Sequence, residues 1–588
     1  MARAARWAGY PFFDAIPRGG SAIIEPGRLE ALGQIRVYRT SVLDREVAFA
    51  SPDFAGVLRL ARVRADRPEL CRNICLVHES ALRTFLVQQA APALIDAARQ
   101  NMARYWPRAA AQLELTGPVR VAFAFALAAA TIGLLVAPLV GPEPLAPIWC
   151  VLVMLPTLLR LAALFQPDRA EQPPATRTQD SDLPVYSVIV PLRDEANMVS
   201  QLCRTFGRLD YPPEKLDIVF AVESRSPATI RALQRHLHDP RYSLRVVPDA
   251  APRTKPKALD FVLPLCRGEF VVVYDAEDRP EPDQLRRLVD QFRRHPELEC
   301  IQARLVIDNG REGWLAAAFA GEYAGLFSVL LPALARWGMV MPLGGTSNHF
   351  RLETLRALGG WDAFNVTEDA DLGVRLARRN LRCATNSSRT FEAAPVRLRP
   401  WIGQRTRWMK GWMQTYAVHN RYPADLLADL GWRGLAGLQL ILLGMVLTPL
   451  LHIGFLLMLP ALFFSGQLAG PIMHPWPVAC LIVLVLGSAV AIATNLVGLV
   501  RSGQTSLLWW QALVPAYWAL IAFATVLALR EFTLKPFYWF KSPHQASSTP
   551  SASTQPDMGD QNDSVPQPAG NSFQRFGRKP TRERSTAG

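Results

Sequence analysis

Phe270-Val271-Val272-Val273-Tyr274-Asp275-Ala276-Glu277-Asp278 is a short apolar run that ends abruptly in carboxylates. The apolar part is β-branched and too short for a helix, so it reads as a buried strand. Two further runs have the same character: Tyr186-Ser187-Val188-Ile189-Val190-Pro191, and residues 216–222. Helical stretches separate them, and strands alternating with helices predict an α/β domain with a parallel sheet. In such sheets ligands bind beyond the carboxyl ends of the strands. The chemistry is therefore expected in the loops that follow them.

Three of those loops carry suitable groups. Pro191-Leu192-Arg193-Asp194-Glu195 follows the first strand, and such a loop can hold a nucleotide base and ribose. Glu223-Ser224-Arg225-Ser226 follows the second. Arg253-Thr254-Lys255-Pro256-Lys257 is a basic loop opening a helix, where a lysine and free backbone N–H groups suit a diphosphate. A solvated basic loop would look the same. Asp275, Glu277 and Asp278 follow the third strand, and clustered carboxylates suit Mg²⁺ or Mn²⁺, which also take phosphate oxygens. An acidic helix cap is the alternative.

Further along stand Thr367-Glu368-Asp369 and Gln404-Arg405-Thr406-Arg407-Trp408. The Glu368–Asp369 pair offers a general base for a sugar hydroxyl. Thr followed by acids is also good helix-capping chemistry, and both roles are compatible. Arg407 suits bidentate contact with a leaving diphosphate. Trp408 suits stacking on a sugar, or anchoring at a membrane interface.

The 588-residue chain is half apolar, so several domains and membrane segments are expected. Lys and Arg exceed Asp and Glu, giving a net charge of +14. With apolar spans and no nucleic-acid-binding motif, this excess reads as cytoplasmic-side charge and not as a nucleic-acid footprint. The eight cysteines form no C-x-x-C pair and read as reduced thiols. The N-terminus shows no apolar core of a cleaved signal peptide.

The expected organisation is a small soluble α+β domain over 1–110, two transmembrane helices within 118–166, a polar linker over 167–183 and a cytoplasmic α/β domain over 184–430. About four transmembrane helices follow within 434–530. Residues 435–464 read as one long helix or two short ones. Charge parity favours a hairpin there, because Arg530, Lys535 and Lys541 should lie inside with the basic catalytic domain. Residues 531–545 form a juxtamembrane segment, and 546–588 read as a disordered tail.

Together these motifs resemble the membrane-embedded family 2 glycosyltransferases that include bacterial cellulose and curdlan synthases, over roughly residues 120–545. The resemblance implies a GT-A-like glycosyltransferase domain flanked by transmembrane helices. It implies metal binding by Asp275 and Glu277 or Asp278, and donor contacts from Pro191, Glu195, Glu223, Lys257 and Asp275. Glu368 and Asp369 would supply the base, with Arg407 catalytic beside them. Gln404 and Trp408 would bind the acceptor, with Asn348 and His349 of Gly344-Gly345-Thr346-Ser347-Asn348-His349-Phe350-Arg351 on the acceptor side. Lys535-Pro536-Phe537-Tyr538-Trp539-Phe540-Lys541 resembles a gating segment over the nucleotide site, or is a plain interfacial anchor.

Two departures are present. Arg225 and Ser226 stand where the family often has Asp residues that hold the base, and the metal motif is Asp-x-Glu. Residues 10–110 also resemble the N-terminal domain of type II secretion ATPases, through Gly9-Tyr10-Pro11-Phe12-Phe13-Asp14 and Phe49-Ala50-Ser51-Pro52-Asp53. That resemblance raises cyclic di-GMP regulation as a hypothesis.

The expected function is processive, inverting polymerisation of a nucleotide-activated hexose, UDP-linked, into a β-linked exopolysaccharide at the bacterial inner membrane, with periplasmic export partners. Non-processive transfer to a lipid carrier and a scaffold subunit of a secretion complex are the alternatives.

Overall fold

The computed structural model describes residues 1–17, 32, 35–42, 45–168, 178–464 and 474–541. The tail read as disordered lies outside them, and so does most of the linker.

Eight strands form the central sheet, in spatial order Tyr242–Val247, Leu216–Glu223, Tyr186–Leu192, Phe270–Val273, Asn348–Arg351, Leu298–Ile307, Arg382–Glu392 and Arg279–Pro280. The first four are parallel. Asn348–Arg351 runs antiparallel between Phe270–Val273 and Leu298–Ile307, which makes the sheet mixed. This is a GT-A-like fold.

The strand Tyr186–Leu192 is apolar on both sides because both of its faces are covered. Val188 and Val190 point into one core with Phe206, Phe220 and Phe292. Ile189 points into the other with Phe261 and Val262. Each such fully buried Val or Ile contributes about 1.5–3 kcal/mol by leaving water.

The N-terminal domain pairs a small sheet of Phe12–Phe13, Ile74–Val77, Arg45–Ala50 and Val37–Val42 with the long helix Glu79–Tyr105. Phe85, Leu86 and Ala90 of that helix share one core with Ala258 and Phe261 of the helix Lys255–Val262. The N-terminal domain is thus packed on the helix whose first turn carries the donor-side lysines. Arg99 adds a hydrogen bond to the Ala251 carbonyl at 2.5 Å.

Among the described residues, six helices are long and apolar enough to cross a membrane: Gly117–Val140, Glu143–Leu164, Trp314–Arg336, Pro423–Pro460, Pro475–Arg501 and Thr505–Leu534. Two differ from the expectation. Residues 435–464 form no hairpin: one helical path runs through them, and Pro449 lies inside the helix Gly444–Phe464. Apolar surroundings leave a helical backbone no better partner than itself, so an internal proline is tolerated there. The second difference is Trp314–Arg336, which is mostly buried against the catalytic domain.

Thr505–Leu534 touches the catalytic domain at both ends. Gln504 Nε2 donates to the Ile307 carbonyl, and Arg311 donates to Ser506 Oγ at 3.0 Å. At the other end, Lys410 pairs with Glu531 at 2.7 Å and Gln414 donates to the Pro536 carbonyl at 3.0 Å. In between, Tyr517 meets Arg405, so the helix lies along Leu398–His419 in the same direction.

Candidate active site

One cavity opens beyond the carboxyl ends of the parallel strands and continues between the membrane helices. Pro191, Glu195, Glu223, Lys255, Asp275 and Glu277 line its polar end. Glu368, Asp369, Gln404, Arg407 and Trp408 line the middle, and Thr448, Thr494 and Trp518 line the far end. The sequence motifs on either side of the catalytic helices thus meet in one space.

At the polar end, Lys255 Nζ lies 2.6 Å from Asp275 Oδ1 and donates to the Gly345 carbonyl at 2.6 Å. Burial disfavours its charge, but Asp275, Glu368 and Asp369 outweigh that and raise its pKa. Lys257, expected on the diphosphate, is instead fully buried. Its ammonium pairs with Glu223 at 3.1 Å and donates to the Ala250 carbonyl at 3.1 Å. Residues i and i+2 of a helix do not share a face, so only one of the two lysines can look into the cavity. Lys255 is the one that lines it.

Asp369 and Glu368 open the helix Glu368–Arg378. Thr367 precedes it, but its hydroxyl makes no capping bond, and it packs instead against Gly411. Burial raises the Glu368 pKa to about 7, helped by the Asp369 charge and opposed by Lys255 and Arg407. Burial also raises Asp369, against a hydrogen bond from the Ala370 N–H and the same two cations. Burial lowers Arg407, while Glu368, Asp369 and Asp275 support its charge. Three acids, Glu368, Asp369 and Asp275, therefore share a confined space with two cations, Lys255 and Arg407.

The base helix is held from behind. Asp371 accepts from Arg375 Nε at 2.8 Å and faces His419 Nε2 at 3.0 Å. All three side chains are buried. Burial opposes the Asp371 charge, but Arg375 and His419 overcome it and hold its pKa below the usual range.

Gln404, Arg407 and Trp408 project from the helix Leu398–His419. Trp408 stacks on Tyr323 with ring centres 6.1 Å apart. Arg405, between them in sequence, touches the cavity too, but its guanidinium is engaged elsewhere. It grips Glu322 at 2.8 and 2.6 Å and lies over the rings of Trp401 and Trp408.

Trp539 of the juxtamembrane segment lines the cavity. The Arg407 and Arg193 guanidinium carbons lie 5.5 and 5.9 Å from its ring centre. Lys541 pairs with Glu195 at 3.1 Å, and Lys410 donates to the Tyr538 carbonyl at 2.7 Å. The segment is thus laid across the nucleotide side of the cavity.

Asn348 and His349 are not at the acceptor side. Both are buried in the strand Asn348–Arg351, with His349 Nδ1 2.7 Å from the Tyr186 hydroxyl. Burial pushes the His349 pKa down to about 3, so it is a neutral core histidine. The Gly-Gly-Thr-Ser lead-in hid a central strand.

Among the described residues, no three His, Cys, Asp or Glu side chains converge as a metal site. Asp278 turns inward, where it accepts from the Asp275 N–H and the Thr346 hydroxyl. Asp275 and Glu277 remain on the cavity wall. Glu392, missed in the sequence because it ends a strand without neighbouring acids, lines it too. Burial raises Glu392 well above the carboxylate range, and the charges of Asp278, Glu277 and Asp275 raise it further. Such an all-oxygen, electron-rich corner fits Mg²⁺ or Mn²⁺, which need only one or two protein carboxylates when phosphate oxygens supply the rest. All eight cysteines are free.

Residues 187–346 match the model of Glycosyl transferase family 2, and residues 270–465 match that of Glycosyl transferase family group 2. A beta-monoglucosyldiacylglycerol synthase of Trichormus variabilis is 27% identical over 288 residues, covering 48% of this chain and 60% of that protein. The probable glycosyltransferase YdaM of Bacillus subtilis is 24% identical over 241 residues, covering 40% of this chain and 57% of that protein. The chain thus matches less than two thirds of the length of either relative. Among solved structures, the mannosyltransferase PcManGT from Pyrobaculum calidifontis, in complex with GDP-Man and Mn²⁺, aligns over 68% of this chain and 99% of that one. Its identity is 21% and its TM-score 0.39.

Proposed function

We propose that this chain, whose residues 187–465 form a family 2 glycosyltransferase domain, is a membrane-bound inverting transferase. It would move a hexosyl unit from a nucleotide-sugar to a lipid acceptor that reaches the site from the bilayer. One observation carries this reading: a single cavity joins Lys255 and Asp275, past Asp369 and Arg407, to Thr448 and Trp518 between the membrane helices.

The roles follow from position. Pro191 and Glu195 border the nucleotide. Lys255 and Arg407 face the diphosphate and take up its charge as it leaves. Asp275 and Glu277 would hold a divalent cation, which when bound neutralises charge on the diphosphate. Asp369 accepts the acceptor hydroxyl proton, with Glu368 beside it keeping its basicity high. Gln404 and Trp408 place the acceptor, and Trp539 excludes water from the donor.

A lipid acceptor is favoured over a growing glycan by the wall at the membrane end. Leu159, Ile441, Met445, Val514 and Ile521 line it, and these suit acyl or prenyl chains better than hydroxyl-rich sugar. The glucosyldiacylglycerol synthase relatives point the same way. Processive polysaccharide synthesis is the second reading, supported by the Gln404, Arg407 and Trp408 set and by the segment over the site. The charge balance favours the catalytic domain on the cytoplasmic face of the inner membrane.

Inside-out vesicles carrying the wild type or Asp369→Asn, given radiolabelled UDP- and GDP-hexoses with Mg²⁺ or Mn²⁺, test this. Label should enter the organic-solvent fraction from one donor and fall by about 10²–10⁴ in the variant. Label in a high-molecular-weight fraction alone would establish the polymer reading. No incorporation from any donor would sink both.

A further inference from the structure

Arg160 is the unexplained charge in this cavity. It sits near the end of the helix Ala146–Leu164, within a candidate membrane span, and lines the cavity together with Pro156 and Leu159 of the same helix. Among the described residues no hydrogen bond or ion pair reaches it. The carboxylate whose field acts on it is Glu322. That carboxylate is already taken: Arg405 grips both of its oxygens, and the Tyr517 hydroxyl donates to it at 2.7 Å. Glu322 and Arg405 cancel each other, so Arg160 leaves the membrane end of the cavity with an unmatched positive charge.

An arginine within a membrane span is costly unless something pairs with it or its head reaches the interface. Such a residue persists where a ligand or a relay supplies the partner. The cavity groups Thr448 and Thr494 do not titrate, and the nearby Glu322 is already held by Arg405 and Tyr517, so among the described residues no free carboxylate stands ready to partner Arg160. The planar guanidinium fits a phosphate through two parallel hydrogen bonds.

We propose that Arg160 binds the phosphate of the acceptor lipid, and that this enzyme selects a phosphate-bearing lipid over an uncharged one. The proposal rests on the lipid-acceptor reading above and narrows it. A neutral diacylglycerol would leave Arg160 half-buried and unpaired. A phosphate lipid would pair it and lay its chains along Leu159, Met445 and Ile521. Two sources share this chemistry, a polyprenyl phosphate and phosphatidic acid; in each the acceptor hydroxyl is the phosphate's own P–OH, whose proton passes to Asp369 while its oxygen bonds the anomeric carbon and the nucleoside diphosphate leaves.

The test is lipid retention by the full-length protein in maltoside micelles, read by native mass spectrometry. The probes are farnesyl phosphate and farnesol, and dioleoyl phosphatidic acid and dioleoylglycerol. The variants are Arg160→Met and Arg160→Lys. At least one phosphate lipid should bind the wild type about tenfold more tightly than its alcohol, as expected for a charge-assisted hydrogen-bonded pair. Whichever pair shows the difference names the source. Arg160→Met should abolish the preference while still binding the alcohol, and Arg160→Lys should keep part of it. Unchanged UDP binding in both variants shows that they are folded. Equal binding of phosphate and alcohol by the wild type, or a preference that survives in Arg160→Met, would overturn the proposal and leave the lipid-acceptor reading standing. Failure of all four lipids to bind would overturn both.

Discussion

Lys255 and Lys257 show how much one residue's orientation decides. They are two apart in sequence, yet one faces the substrate space and the other is sealed beneath it. Lys255→Met should raise the donor KM with little loss of stability, because a cavity-lining cation is removed. Lys257→Met should leave Glu223 buried without its partner, and breaking a buried pair costs about 3–5 kcal/mol. Thermal unfolding and donor titration on the same two variants separate these effects. The pH dependence belongs to the Glu368–Asp369 pair, which titrates as a unit. A base must be unprotonated to act, and burial raises both groups, Glu368 to about 7. Activity should therefore be full at higher pH and fall as pH drops through about 7. In Glu368→Gln the limb should move to lower pH, because Asp369 loses a like-charged neighbour. A kcat/KM profile with an unmoved limb would assign it elsewhere.

Among elements, the strands were legible where burial on both faces forced a continuous apolar run, as in Tyr186–Leu192 and Phe270–Val273. Asn348–Arg351 was not, because its polar side chains find buried partners that sequence does not display. The acidic motif after the third strand was legible as a group, but the inward turn of Asp278 depends on Thr346, far away in the chain. Glu392 and Tyr323 gave no local signal, since each matters only through where its element ends. The helix Glu368–Arg378 illustrates positioning from behind the site. Asp371→Asn leaves Arg375 buried and short of its partner, with an expected cost of about 3–5 kcal/mol. Chemical unfolding should show that loss, and kcat should fall because the first turn of the same helix carries Asp369. The close approach of Gly498 to Ala324 docks a membrane helix on the catalytic domain, for an added Cβ would meet the Ala324 carbonyl carbon at 2.3 Å. Small residues at such crossings let helix backbones touch.

At the scale of the whole molecule, the number of crossings follows from which ends meet. Glu143 and His474 pair at 2.9 Å, so the turn after the first span and the start of Pro475–Arg501 share one end. Lys535 and Lys541 lie with the catalytic domain. Thr505–Leu534 begins and ends on that domain and should lie along the membrane surface, and Trp314–Arg336 is mostly buried against the domain, so neither should cross and four of the six candidate helices are left as spans. Single cysteines at Glu143 and His474, in a background without reactive thiols, should react with an impermeant maleimide from the face opposite to those at Asp182 and Lys535. Lys535 labelling with Glu143 would mean that the last helix crosses. The placement of Trp539 between Arg193 and Arg407 bears on something else, the fate of activated sugar when no acceptor is present. The cations that flank the indole are ones a diphosphate would also touch, so the ring stays beside the bound donor and keeps water from its anomeric carbon. Between turnovers the reacting corner is stoppered by carbon and not filled with water. An enzyme built this way should waste little donor by hydrolysis, and Trp539→Ala should leak free sugar faster than it loses transfer.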